Sequence, residues 1–255
     1  MNKYIKYIGM VSLLCFSFYY TEQLALFMQK KDPIYESILV LKEEYEVKSI
    51  NAIIEDNYII PGLMGQQVDV NKSFQNMKNV GFFTEQKLIF EQTEPNISVK
   101  EHQDKIIKQG NSSKNAISFI VTDEKIIDYF EEMGIFYTEL TTKENMKKQR
   151  KYGSKLNNDS TNYKIVEKYL KESSNISKYC YYSGDFCQKN KKQTIEETVR
   201  INNSNFVETY RNIQSGYIIY LQDNFEITNL KILLNKIYFQ GLTITSLDNL
   251  LSEGR

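Results

Sequence analysis

The spacing of apolar and polar positions changes several times along this chain, and each change predicts an element. From Tyr7 to Tyr20 the run "YIGMVSLLCFSFYY" is uncharged, mainly apolar and without a polar face; continuing to Met28 gives it spanning length and takes in Glu22. Lys3 and Lys6 precede it, Lys30 and Lys31 follow it, and no small-x-small cleavage pattern comes after it. Residues 7–28 are therefore expected to form an uncleaved signal-anchor, with the N-terminus in the cytoplasm and the remainder outside. The alternative is an N-terminal core helix.

Beyond residue 31 the period becomes helical, then mixed. "KDPIYESILVLKEEYEV" reads as a helix: Asp32 can cap it, Pro33 suits its first turn, and Ile34, Ile38 and Leu41 share a face. "SINAIIE", "NYIIPG" and "KLIFEQ" are short β-rich runs, and between the last two "DVNKSFQNMKNVG" predicts a capped helix ending at Gly81. Residues 32–112 are expected to form a small α/β region. The polar run "KQGNSSKN", Lys108 to Asn115, reads as its linker.

From residue 113 the pattern alternates strand and helix. "AISFIV" is an apolar strand, "DEKIIDYFEEM" a helix with Ile126, Ile127 and Phe130 inward and Gly134 at its end, and "IFYTEL" the next strand. The rhythm returns in "GYIIYLQD", in "FEITNLKILLNKIYFQ" with Leu230, Leu233, Leu234 and Ile237 on one stripe, in "LTIT", and in a last short helix capped by Ser246. Parallel strands are expected at 116–121, 135–139, 217–221 and 242–245, with chemistry gathered at the ends where strands finish.

Composition adds exclusions. Lys plus Arg equals Asp plus Glu at 32 each, which leaves no basic footprint for nucleic acid. Cys15 lies in the apolar segment. Cys180 and Cys187 could form a disulfide if the domain is exported, or could remain free thiols, since spacing alone does not set their geometry. The sole histidine, His102, sits among charged residues in "KEHQDK" and reads as a solvated side chain. No phosphate-cradling glycine loop, nucleophile elbow or HExxH pattern occurs. The tyrosine-rich "YCYYSGDF" suits either sugar stacking or ordinary strand packing.

Four pieces, in order, carry a resemblance. "AISFIV", "YGSKLNNDSTNY", "GYIIYLQDN" and "YFQGLTITSLDNLL" resemble the opening strand, the metal-binding loop, the late strand and the closing segment of the polysaccharide deacetylase (NodB-homology) family. Gly153, Leu156, Asn158 and Ser160 of the loop fall in step. The resemblance implies an α/β fold: a NodB-like distorted (β/α) barrel over 113–255, preceded by the small α/β region of 32–112 and an N-terminal membrane segment, 1–31.

The chemistry of the family is missing from the matching positions. Its adjacent aspartates, a base and a metal ligand, fall on Ile120 and Val121; its two loop histidines fall on Asp159 and Tyr163; its general-acid histidine falls on Gln222. Only the next aspartate has a counterpart, Asp223. A zinc site with two imidazoles cannot be assembled from a chain with one histidine, so no zinc and no other cofactor is expected. The expected function is that of a cell-membrane, single-pass protein with its C-terminal domain outside, holding cell-envelope glycan or an envelope protein at a degenerate pocket of Ile120, Val121, Asp159, Tyr163, Gln222 and Asp223. One alternative is an active carbohydrate deacetylase or hydrolase of C–N amide bonds working through Asp123, Asp159 and Asp223, with or without a hard cation. Against it, Thr122 or Asp123 and the neighbouring acid Glu124 fit a helix start. A second alternative is a purely structural interaction module.

Overall fold

The computed structural model describes residues 2–142, 145, 148–158, 176–181, 186–189 and 191–255. The first elements are α1 (Asn2–Lys30), α2 (Pro33–Tyr45), β1 (Ile53–Glu55), β2 (Tyr58–Ile60), β3 (Gly65–Val68), α3 (Val70–Lys78), β4 (Phe90–Thr93) and β5 (Ile106–Ile107). They are followed by β6 (Ala116–Val121), α4 (Glu124–Met133), β7 (Tyr137–Leu140), β8 (Gly153–Asn157), β9 (Ile176–Tyr181) and α5 (Phe186–Lys189). The last are β10 (Gln193–Ile195), β11 (Val199–Ile201), α6 (Phe206–Arg211), β12 (Ile218–Leu221), α7 (Ile227–Phe239), β13 (Thr243–Ile244) and α8 (Leu247–Leu251).

The chain forms two compact units, residues 1–48 with 65–93, and residues 49–64 with 94–255. In the first, α2 packs on α3 and on β3 of the antiparallel pair β3–β4. Asp32 accepts from the Ile34 amide at 2.9 Å and Asp69 from the Lys72 amide at 2.9 Å, so both helices start on a carboxylate cap. Ile34, Tyr35, Ile38, Val68, Phe74 and Met77 fill this small core. Within α1, Met10–Lys30 is the one segment among the described residues long and apolar enough to cross a membrane, and none of it is buried by protein.

The second unit is built on a sheet of order β1-β2-β5-β10-β9-β8-β7-β6-β12-β11, with β13 also on β6. All of these pairings are parallel except β1–β2. Only residues 196–198 separate β10, which pairs with β9, from β11, which pairs with β12. The run 193–201 thus joins the two flanks and curls the sheet around an interior. The expected strands are present at 116–121, 137–140, 218–221 and 243–244, all parallel.

Strand alternation sorts side chains into two layers. Ile120, Leu140, Leu156, Tyr179, Ile195 and Ile218 fill the interior with Leu247, Leu250 and Leu251 of α8. Ile117, Phe119, Val121 and Tyr137 face the helix layer, where α4 gives Ile126, Ile127 and Phe130 and α7 gives Leu230, Leu233, Leu234 and Ile237. Covered on both faces, β6 is buried at all six positions, as a central parallel strand should be. Each large apolar side chain so enclosed contributes about 1.5–3 kcal/mol. Gly134 ends α4 at φ 68°, its amide bonding the Glu131 and Phe130 carbonyls.

The region 32–112 is not one compact unit. β1, β2 and β5 are too short to bury a face alone and instead extend the large sheet, Tyr58 and Ile59 pairing with Ile106 and Ile107, and Ile107 with Ile195. Lys108–Asn115, expected as a linker, is fixed within that unit: Gln109 bridges Tyr217, the Gly110 amide bonds Gly216 O at 2.7 Å, and the buried Asn111 side chain donates to Pro61 O at 3.0 Å.

Candidate functional site

The ends of β6, β9, β11 and β12 form the mouth where chemistry was expected. Ile120 and Val121 close β6, both fully buried, with Ile120 in the interior layer and Val121 in the helix layer. Neither offers a lone pair, and neither opens onto the mouth. Thr122, the next residue with its face inward, donates its hydroxyl to the Asp223 carboxylate, and its oxygen lies 3.5 Å from the Tyr220 hydroxyl.

Asp123 caps α4. One carboxylate oxygen accepts from the Lys125 amide at 2.8 Å and the other from the Asn224 amide at 2.7 Å. The cap therefore also ties α4 to the loop after β12. Gln222 is half-buried; its backbone amide bonds Ile201 O at 2.9 Å, and its side chain has no partner among the described residues. Asp159 and Tyr163 lie outside the described residues, so the expected pocket is traced only through Ile120, Val121, Gln222 and Asp223. "YGSKLNNDSTNY" is traced through Asn158, as β8 and the residue after it. Its glycine has a packing reason: a Cβ at Gly153 would stand 2.5 Å from the Tyr137 ring.

A polar network that sequence reading missed crosses the seam of the sheet. Arg200 donates through Nε to Glu197 at 2.8 Å and through Nη2 to the Tyr181 hydroxyl at 2.8 Å, and Tyr181 in turn donates to Glu197. The guanidinium stacks 4.6 Å from the centre of the Tyr220 ring, and the Tyr181 and Tyr220 rings are 6.2 Å apart. Burial pushes the Tyr181 phenol upward, and Glu197 adds to it. Burial works against the Arg200 charge, but Glu197 outweighs it and holds the guanidinium firmly cationic. In sequence the trace was faint: Glu197 and Arg200 stand on either side of Thr198 and Val199 in "ETVRI" as ordinary strand-end charges.

Among the described residues no group of three or more His, Cys, Asp or Glu side chains is placed to hold a metal ion. The hydrocarbon ends of β6, with glutamine at 222, do not fit the zinc of the resembled family. Cys180 and Cys187 are joined as a disulfide, with Cα atoms 5.7 Å apart, beside Tyr181. Tyr179 of the same stretch is buried in the interior layer, which assigns it to packing. His102 follows a single 3-10 turn, Val99–Glu101, outside the mouth network.

The curled parallel sheet, its helix layer and the mouth at the strand ends define the fold of the polysaccharide deacetylases, the family 4 carbohydrate esterases. A CE4 family pseudoenzyme from Bacillus anthracis superposes with a TM-score of 0.58 at 18% identity, over 88% of this chain and 97% of that one. A mutant of that pseudoenzyme with restored enzymatic activity gives 0.57 at 19% identity, over 88% and 100%. By sequence, the chain is 36% identical over 104 residues to the uncharacterized protein YlxY of Bacillus subtilis (strain 168), a match covering 40% of this chain and 33% of that protein. No protein-family model matches the chain.

Proposed function

We propose that this chain is a divergent, non-catalytic protein of polysaccharide-deacetylase type that is anchored by α1 and binds cell-envelope glycan at the strand-end mouth. The carrying observation is that β6 ends in two fully buried hydrocarbon side chains where the resembled family places its base and a metal ligand. Nothing at those positions lowers the pKa of water toward 7, the step on which metal-assisted deacetylation depends. Gln222 can hydrogen-bond a sugar but cannot deliver a proton to a leaving amine at neutral pH. The pseudoenzyme relationship of the structural neighbour supports the same reading. The length and apolar character of α1 support the anchor, and the disulfide fits a domain held outside the cytoplasm.

The test is acetate release from acetylated chitooligosaccharides with added Zn²⁺ or Co²⁺, beside binding to the same sugars. Expected are no turnover, and binding that Tyr163→Ala and Gln222→Ala abolish. Turnover abolished by chelator refutes the reading. Chelator-resistant turnover lost in Asp123→Asn or Asp223→Asn points to the carboxylate enzyme, and absence of glycan binding points to an envelope-protein partner or a structural role.

A further inference from the structure

At the opposite end of the sheet, where β9 and β10 begin, a cavity of about 480 Å³ is lined by Lys100, Gln103, Lys178, Tyr179, Lys191 and Glu253, among others. That volume is in the range of small-ligand sites. The three lysines arrive from separate segments: the 3-10 turn Val99–Glu101, strand β9, and the turn before β10. None of them has an ion-pair partner among the described residues.

Two acids stand nearby, both held by backbone amides. Glu253 accepts from the Gly62 amide at 3.2 Å and the Val99 amide at 3.0 Å, and Asp248 accepts from the Lys178 amide at 3.1 Å. Lys191 is held at φ +52°, a left-handed conformation that glycine adopts without cost and a lysine does not. Beside Lys178, burial first and the Lys178 charge second push the Lys114 amine down to about 8. The lining thus carries three lysines against one carboxylate, Glu253.

We propose that this cavity binds a phosphate group, with the ammonium groups of Lys100, Lys178 and Lys191 closing on its oxygens. Phosphate is favoured over carboxylate because the donors are three point charges carried on three separate segments; the planar fork that pairs two carboxylate oxygens is absent from the lining. Gln103 adds a neutral amide to the same lining. This site is independent of the glycan reading, which concerns the mouth.

The experiment uses the full chain in phosphatidylcholine nanodiscs, titrated with inorganic pyrophosphate and with a soluble glycerol-phosphate oligomer, and compares nanodiscs containing phosphatidylglycerol. The readouts are the thermal midpoint and the Kd, with sodium chloride at equal ionic strength as the blank. A rise with the oligomer assigns a soluble phosphodiester, and a rise in phosphatidylglycerol discs alone assigns a lipid headgroup. In the triple variant Lys100→Gln, Lys178→Gln, Lys191→Gln the Kd should weaken at least about tenfold, the loss of one charge-assisted hydrogen bond or more. The control triple Lys42→Gln, Lys125→Gln, Lys231→Gln should leave it unchanged. Equal response of both triples, a rise matched by sodium chloride, or no response to any of the three phosphate sources overturns the proposal.

Discussion

The two ends of the curled sheet treat charge in opposite ways. At the mouth, Arg200 is stacked on Tyr220 and hydrogen-bonded to Glu197 and Tyr181, and the positions that would need charge for metal chemistry, 120 and 121, are hydrocarbon. At the other end Lys100, Lys178 and Lys191 line one cavity without an ion-pair partner among the described residues. A neutralised network adds stiffness and shape, whereas uncompensated like charges cost stability and are relieved by an anion. Resemblance to a family draws attention to the mouth; charge balance draws it to the other end.

Three sets of variants break or sharpen this contrast. The largest effect belongs to Ile120→Asp and Val121→Asp, which place a carboxylate at fully buried positions in two hydrocarbon layers. Each should cost about 4 kcal/mol or more, read as a collapse of the urea midpoint. A variant of normal stability that gains chelator-sensitive acetate release would show that these positions open onto the mouth, contrary to their packing here.

Next, Glu197→Gln should cost about 1 kcal/mol, since Glu197 is 13% exposed and Arg200 46%. The triple lysine-to-glutamine variant should change stability by no more than about 0.5 kcal/mol, and toward stabilisation, because like charges are removed. If the lysine variant proves the more destabilised of the two, the two ends do not differ as described.

The smallest effect is a pH dependence. Lys114 has its folded-state pKa lowered to about 8 from 10.5. The unfolded chain therefore holds the extra proton across that window, and stability rises with pH between them. Half-exposure keeps the effect small. The difference in unfolding free energy between the wild type and Lys114→Met should drift in favour of the wild type from pH 8 to about 10; a flat or opposite drift removes Lys114 from the positive cluster.

The sequence by itself determined the local elements of the sheet unit. Asp123 before a 3.6-residue stripe and Gly134 after it were enough to place α4, and the apolar period of "NLKILLNKI" placed α7, because caps and periodicity act within a few residues. A chain with one histidine likewise leaves no pair of imidazoles for the zinc site of the resembled family, a point that needs no coordinates. Only the tertiary structure decided that β1, β2 and β5 extend the large sheet, that residues 108–115 are fixed within its unit, and that Cys180 meets Cys187. Only it, too, set Arg200 over Tyr220 and gathered Lys100, Lys178 and Lys191 around one cavity. Apart from the disulfide, whose cysteines are 7 residues apart and needed only the local geometry, these facts depend on which strand edges pair over long separations, and a local pattern of apolar and polar positions carries no record of its distant partner.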